Sequence, residues 1–215
     1  MQKLLFIICF TTLCLSCKQK KEQTIVEPEI SVAQKIANAH GFENWKHVSE
    51  IQFTFFEKRN WTWKPKTNDI TLITETDTIN YNKKTLDSIS QNADKAFTND
   101  KFWLLIPFQL VWDTAATISE PIKTEAPISK VQMNKITLTY PNEGGYTPGD
   151  AYDIFYGDDY IIKEWAYRKG NQAEAGLVNT FENYQNFNGL KIALDHKKET
   201  SDWNLKFSNV KVILE

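Results

Sequence analysis

Residues 151–170 read AYDIFYGDDYIIKEWAYRKG, and the fold follows from how this stretch is taken. Two runs rich in aromatic and β-branched residues flank Gly157, Asp158 and Asp159. Glycine and aspartate tolerate the backbone angles that a tight hairpin turn demands. Ala151–Tyr156 is therefore predicted as one strand and residues 161–168 as its antiparallel return, with Trp165 and Tyr167 on one face. A hairpin is marginal by itself and needs further strands or a helix against it. Both are found on moving outward.

Downstream, Leu190, Ile192 and Leu194 alternate with polar or small residues, and so do Trp203, Leu205 and Phe207. The apolar parity then slips by one, to Val210, Val212 and Leu214, which predicts a β-bulge near Ser208 or Asn209. Upstream, Ile136, Leu138 and Tyr140 alternate and lead into a turn-rich loop, PNEGGYTPGD at 141–150. Nearer the start, Ile51, Phe53 and Phe55 alternate with Gln52 and Thr54. If that strand ran on unbroken, Trp61 and Trp63 would share its inner parity. Pro65 and Asn68 mark a turn, and residues 70–81 offer two shorter strands bending at 76–78.

Two segments leave the period of two. Ser31 and Gln34 form the S-x-x-Q pattern of a capped helix start, and Gly41 ends that helix. Val32, Ile36 and His40 share its stripe, so His40 reads as a packed or rim histidine, not a ligand. The second helix carries Leu86, Ile89, Ala93, Ala96 and Phe97 at helical spacing. It runs into FWLLIPFQLVWD at 102–113, the most apolar run outside the first residues. Twelve residues are too few to cross a hydrocarbon core of roughly 30 Å, and Pro107 removes a backbone donor inside them. That run is expected as core or as a lid, followed by a loop, TAATISEPIKTEAP at 114–127. The economical architecture is α+β: helices packed on one face of a strongly curved antiparallel sheet.

The first residues, MQKLLFIICFTTLCLSC, read as a bacterial lipoprotein leader. Residues 1–16 form the signal peptide, and Ser16 precedes Cys17, whose thiol is expected to carry the lipid. Residues 17–29 then form a polar tether with Lys18, Lys20, Lys21 and Pro28, ahead of a single domain at 30–215. Cys9 and Cys14 fall in the leader, so the processed chain keeps no cysteine pair for a disulfide. The expected location is the outer membrane of a bacterial envelope, on its periplasm-facing side.

Net charge is −2, which argues against nucleic acid as a partner, because such binding needs a basic patch. His40, His47 and His196 are scattered and form no metal-ligand spacing, and no phosphate loop or G-x-S-x-G elbow occurs. Asp158, Asp159 and Glu164 offer carboxylates, but turn chemistry is the simpler reading of a Gly-Asp-Asp hairpin. No catalytic residue, metal or cofactor is expected. Seven tryptophans in a chain that is 13% aromatic are the stronger signal. These rings either line a cavity for an apolar ligand, stack on a sugar, or fill the core.

Tyr152, Asp153 and Ile154, followed by the hairpin, together with Phe181, Tyr184, Phe187, Gly189, Leu190 and Ile192 in TFENYQNFNGLKI at 180–192, resemble motifs of the periplasmic lipoprotein carriers LolA and LolB. A nearer resemblance is to envelope lipoproteins of Bacteroidetes-type bacteria, through Ala39, His40, Gly41, Trp45 and the FW..PF.L segment. The resemblance covers residues 31–214 and implies a half-barrel sheet around a hydrophobic cavity, with helices across its opening, which in the carriers accepts acyl chains. On this basis Trp61, Trp63, Trp103, Phe108, Trp112, Trp165 and Tyr167 are the candidate ligand-binding residues. The expected function is a membrane-anchored, non-enzymatic lipoprotein that binds an acyl or lipid-like ligand. The alternative is an accessory or scaffold lipoprotein in an outer-membrane protein or glycan-handling complex.

Overall fold

In a computed structural model the hairpin at 151–170 forms as expected, pairing Ile154 with Trp165 and Tyr152 with Tyr167. The structure describes residues 30–144 and 147–215. The leader, Cys17 and the tether lie outside the described residues. In chain order come α1 (Val32–Ala39), β1 (Val48–Phe55), β2 (Arg59–Lys64), β3 (Asp69–Ile73), β4 (Thr78–Asn82) and α2 (Ser88–Trp112). Then follow β5 (Thr117–Ile118), β6 (Ile122–Glu125), β7 (Gln132–Thr139), β8 (Ala151–Tyr156) and β9 (Ile162–Arg168). The last four strands are β10 (Leu177–Thr180), β11 (Glu182–Phe187), β12 (Leu190–Lys197) and β13 (Asn204–Leu214).

The chain is α+β, with two antiparallel sheets. One has the order β11-β12-β13-β1-β2-β3-β4, the other β10-β9-β8-β7-β5, with β6 also on β7. The chain passes from one sheet to the other through Phe181, whose N–H donates to the Lys163 carbonyl at 2.7 Å. Tyr184, on β11, adds a bond from its hydroxyl to the Ile162 carbonyl of β9 at 2.8 Å. The far strands β4 and β5 do not pair with each other, so no barrel closes.

Trp61 and Trp63 reach the inner face by a different route from an unbroken strand. Phe56 and Glu57 both have positive φ and form a tight turn, closed by Lys58 N–H on the Phe55 carbonyl. Positive φ at both central residues is what a type I′ hairpin requires. Cross-strand pairing then sets Trp61 opposite Phe53 and Trp63 opposite Ile51. The bulge falls where the parity slip predicts it. Thr54 pairs with Ser208 and Gln52 with Lys211, so Asn209 and Val210 together face Phe53. Asn209 takes the left-handed backbone, φ 53°, and its amide donates to Thr54 Oγ1 at 3.1 Å.

Ser31 caps α1 by accepting from Gln34 N–H at 3.2 Å, but the Gln34 side chain donates to Asn38 instead of returning to the cap. Gly41 is indispensable in another sense. Its φ is +88°, and a Cβ there would sit 1.9 Å from the Gly189 carbonyl oxygen. The end of α1 thereby docks on the β11–β12 hairpin, with Lys191 N–H on the His40 carbonyl at 2.9 Å.

Helix α2 starts at Ser88, two residues after the first position of the apolar spacing. Asp87 and Ser90 make a reciprocal capping box, Leu86 precedes it, and Ile89 is 66% exposed. Ala93 and Phe97 are buried as the spacing predicts, and the stripe runs on through Asp94, Asp100, Trp103 and Leu104. The apolar run 102–113 is the continuation of this helix, kinked and not ended: Leu105 has φ −123° and ψ 28°. Pro107 explains the kink, since its ring crowds the carbonyl four residues back and it has no N–H to give. The following segment, expected as loop, supplies β5 and β6. Among the described residues no helix is long and apolar enough to cross a membrane.

Candidate functional site

The first half of α2 is wedged between the sheets. Phe97 packs edge-on against Trp61 and Trp63, both at 5.3 Å between ring centroids, while Trp103 meets Trp165 of β9 at 4.5 Å. Past the kink, Phe108 and Trp112 turn to Phe42 and Trp45, with Trp45 and Trp112 4.7 Å apart. Beside the helix, against β8, β9 and the loop that follows β7, opens a cleft of about 940 Å³. Phe102, Trp103, Tyr140, Tyr152, Trp165 and Tyr167 form its aromatic wall. Their rings interlock at 4.8 Å (Phe102 and Tyr152), 5.2 Å (Tyr152 and Trp165) and 5.1 Å (Tyr152 and Tyr167).

Three of the seven predicted ligand residues, Trp103, Trp165 and Tyr167, are thus brought together at this cleft. Trp61, Trp63, Phe108 and Trp112 belong to the core and do not line it. Phe102, Tyr140 and Tyr152 were not among the ligand-binding residues expected from sequence. Their signal was present, because Tyr152 shares the face of Ile154, and Tyr140 the face of Leu138. Cys17 lies outside the described residues.

The polar rim is more specific than the wall. Lys83, Lys95, Lys101, Gln109, Asp113 and Glu143 line it. Lys83 is neutralised by Asp94, at 2.8 and 3.1 Å. Lys101 Nζ donates to Gln109 Oε1 at 3.1 Å and lies 5.5 and 5.9 Å from the ring centroids of Trp112 and Trp63. Burial, then the neighbouring Lys83 charge, pulls the Lys101 ammonium down to about 8. The tyrosines move the other way. Burial, reinforced by Asp113, pushes Tyr140 up; burial, then Tyr167, pushes Tyr152 up. Tyr167 rises to about 12 through burial and its 2.8 Å bond to Asp150. At neutral pH these phenols stay uncharged, so the wall is apolar with hydroxyl donors at its edge.

Carboxylates that might suggest chemistry are spoken for by structure. Glu164, buried on the outer face, accepts from Ile128 and Ser129 N–H at 2.7 and 2.9 Å and clamps the turn before β7. Asp159 accepts from Ile161 N–H at 3.0 Å inside the hairpin turn. His40 and His196 are both fully buried, each with Nδ1 on a backbone carbonyl, Ile36 at 2.8 Å and Leu205 at 3.1 Å. Burial lowers both to about 4. Among the described residues no group of three or more His, Cys, Asp or Glu could hold a metal ion. Comparison of the chain with models of protein families, with curated proteins and with solved structures finds no match.

Proposed function

We propose that this is an envelope lipoprotein, anchored by lipid on Cys17 at the periplasm-facing side of an outer membrane, whose domain binds an acyl or lipid-like ligand without transforming it. In this reading the two sheets are the wall of a LolA/LolB-like half-barrel, and α2 fills much of what would be its cavity. The ligand occupies the space that α2 leaves free. The observation that carries the reading is the cleft itself. Its size is that of a small-molecule site, and six aromatic rings form one continuous wall of it beneath a polar rim. Its rings also favour an acyl chain over a sugar. Phe102, Tyr152 and Trp165 meet at interplanar angles of 45° and 41°, whereas sugar stacking wants an open, flat platform.

The test is native mass spectrometry of the chain carrying Cys17→Ser, so that its own acyl groups cannot answer the assay. Co-purified lipid that a fluorescent fatty acid displaces is the expected result. Protein free of lipid, which the fatty acid also fails to enter, removes the reading.

A further inference from the structure

The wall of the cleft selects for apolar matter, but the rim carries a half-buried ammonium with no carboxylate in ion-pair contact. Lys101 forms no ion pair with any described residue. Its nearest carboxylate along the rim, Asp113, is held off by Gln109, which accepts from Lys101 and donates to Asp113 Oδ2 at 3.3 Å. Lys83, by contrast, has Asp94, and Lys95 stands in solvent. Next to Lys101, the buried Trp63 Nε1–H has no acceptor among the described residues. The neighbourhood is thus rich in donors and poor in acceptors. An ammonium set beside two indole rings has lost water it would otherwise keep, and an anion would restore a charge-assisted bond there.

We propose that the ligand of the cleft is an amphiphilic monoanion, an apolar chain ending in one carboxylate, and that Lys101 binds that carboxylate. The inference rests on the reading of the cleft as a hydrophobic-ligand site. One half-buried ammonium in contact with no carboxylate fits one negative charge. Asp113 and Glu143 on the same rim would repel a second. The ligand's carboxylate takes the place of the Gln109 carbonyl on Lys101, while its chain lies along Phe102, Tyr152 and Trp165.

Three probes of equal chain length separate the parts: dodecanoate, dodecanol and dodecylammonium, titrated by calorimetry into the full chain carrying Cys17→Ser and stripped of co-purified lipid. Dodecanoate is expected to bind tightest and dodecylammonium weakest. Lys101→Met, which keeps the side-chain length, should weaken dodecanoate roughly tenfold or more, the worth of a charge-assisted bond, and leave dodecanol unchanged. Lys101→Arg should retain the preference, and Lys211→Met, at an exposed position of β13 away from the cleft, should not alter it. Lys101→Gln serves the same comparison if the methionine variant does not fold. Equal binding of dodecanoate and dodecanol, or an equal loss in Lys211→Met, overturns the assignment of Lys101 while the apolar cleft stands. Failure of every probe to bind removes the cleft reading and this inference together.

Discussion

Replacing Asp100 by alanine tests how the central helix is fastened to the sheet. Asp100 is 0% exposed, and its carboxylate accepts from Arg59 Nε at 2.7 Å, Arg59 Nη2 at 2.8 Å, Trp61 Nε1 at 2.8 Å and Asn99 Nδ2 at 2.9 Å. Arg59 and Trp61 belong to β2, so this one residue straps α2 to the sheet. Alanine leaves the buried Trp61 N–H without its acceptor, worth about 1–3 kcal/mol. It also breaks a buried ion pair, for which removing one partner costs about 3–5 kcal/mol in all. The Arg59 side chain is 31% exposed and regains some hydration, which places the expected loss near the lower end, about 3 kcal/mol. With a urea dependence of about 2 kcal/mol per molar, the unfolding midpoint should fall by about 1.5 M. Tryptophan fluorescence in a urea titration measures it. A double-mutant cycle with Arg59→Met should show coupling above about 1 kcal/mol, since each change removes the same pair. A midpoint shift under about 0.5 M, or strictly additive losses, refutes the strap.

Acid should weaken the fold through His40 and His196. The unfolded chain protonates both below about 6.5 and the folded chain only below about 4, so stability is complete above 6.5 and falls as pH drops from there towards 4. Each histidine contributes at most about 3 kcal/mol to that loss. Urea midpoints across this range should show the slope, and His196→Leu should reduce it by about half; an unchanged slope contradicts the assignment. Gly41→Ala should cost more than the roughly 1–2 kcal/mol of a left-handed backbone, because its Cβ would meet the Gly189 carbonyl. Gly176→Ala, where a Cβ meets nothing within 4 Å, should be near neutral in the same thermal melt. Trp103→Ala should lose about 3–5 kcal/mol as a core truncation, whereas Phe102→Ala should fold and lose fatty-acid binding; the reverse pattern in the paired melts and titrations would exchange their roles. Cys17→Ser should abolish incorporation of radiolabelled palmitate and release the chain from the membrane fraction, and label retained in the variant would place the lipid elsewhere.

Local signals in the sequence carried much of the fold. Period-two alternation marked β1, β7, β12 and β13, and the Gly-Asp-Asp turn marked β8 and its return. The parity slip at Asn209 was legible since a single inserted residue moves every later side chain to the other face. Strands β5, β6, β10 and β11 were hidden for the opposite reason. They lie near sheet edges, and β11 alternates partly exposed with exposed positions, ENYQNF, without an apolar face to read. The turn at Phe56 and Glu57 carries no glycine or asparagine, so its positive φ angles have no local signature. Asp94 and Asp100 interrupt the apolar stripe of α2 because their partners, Lys83 and Arg59, come from elsewhere in the chain. Helical spacing alone therefore placed Ile89 inside, where the structure puts it in solvent. The candidate site was half legible for a related reason: tryptophan content announced aromatic packing, but only tertiary contact divides core rings from cleft rings.

The apolar run at 102–113 shows why that division could not be made residue by residue along the chain. Core and cleft are two faces of the same helical turn. Leu104 looks into the packed interior, Phe102 and Gln109 border the cleft, Trp103 is buried and shared between the two, and Lys101 sits at the boundary with its ammonium beside Trp63 and Trp112. Pro107 supports both faces at once. By kinking the helix at Leu105 it lets the segment before the kink fill the space between the sheets, and the segment after it close on Phe42 and Trp45. A straight helix of the same composition would have to give up one of these contacts. The residue that argues against a membrane span is thus also the one that lets a single helix fill a core and wall a cleft.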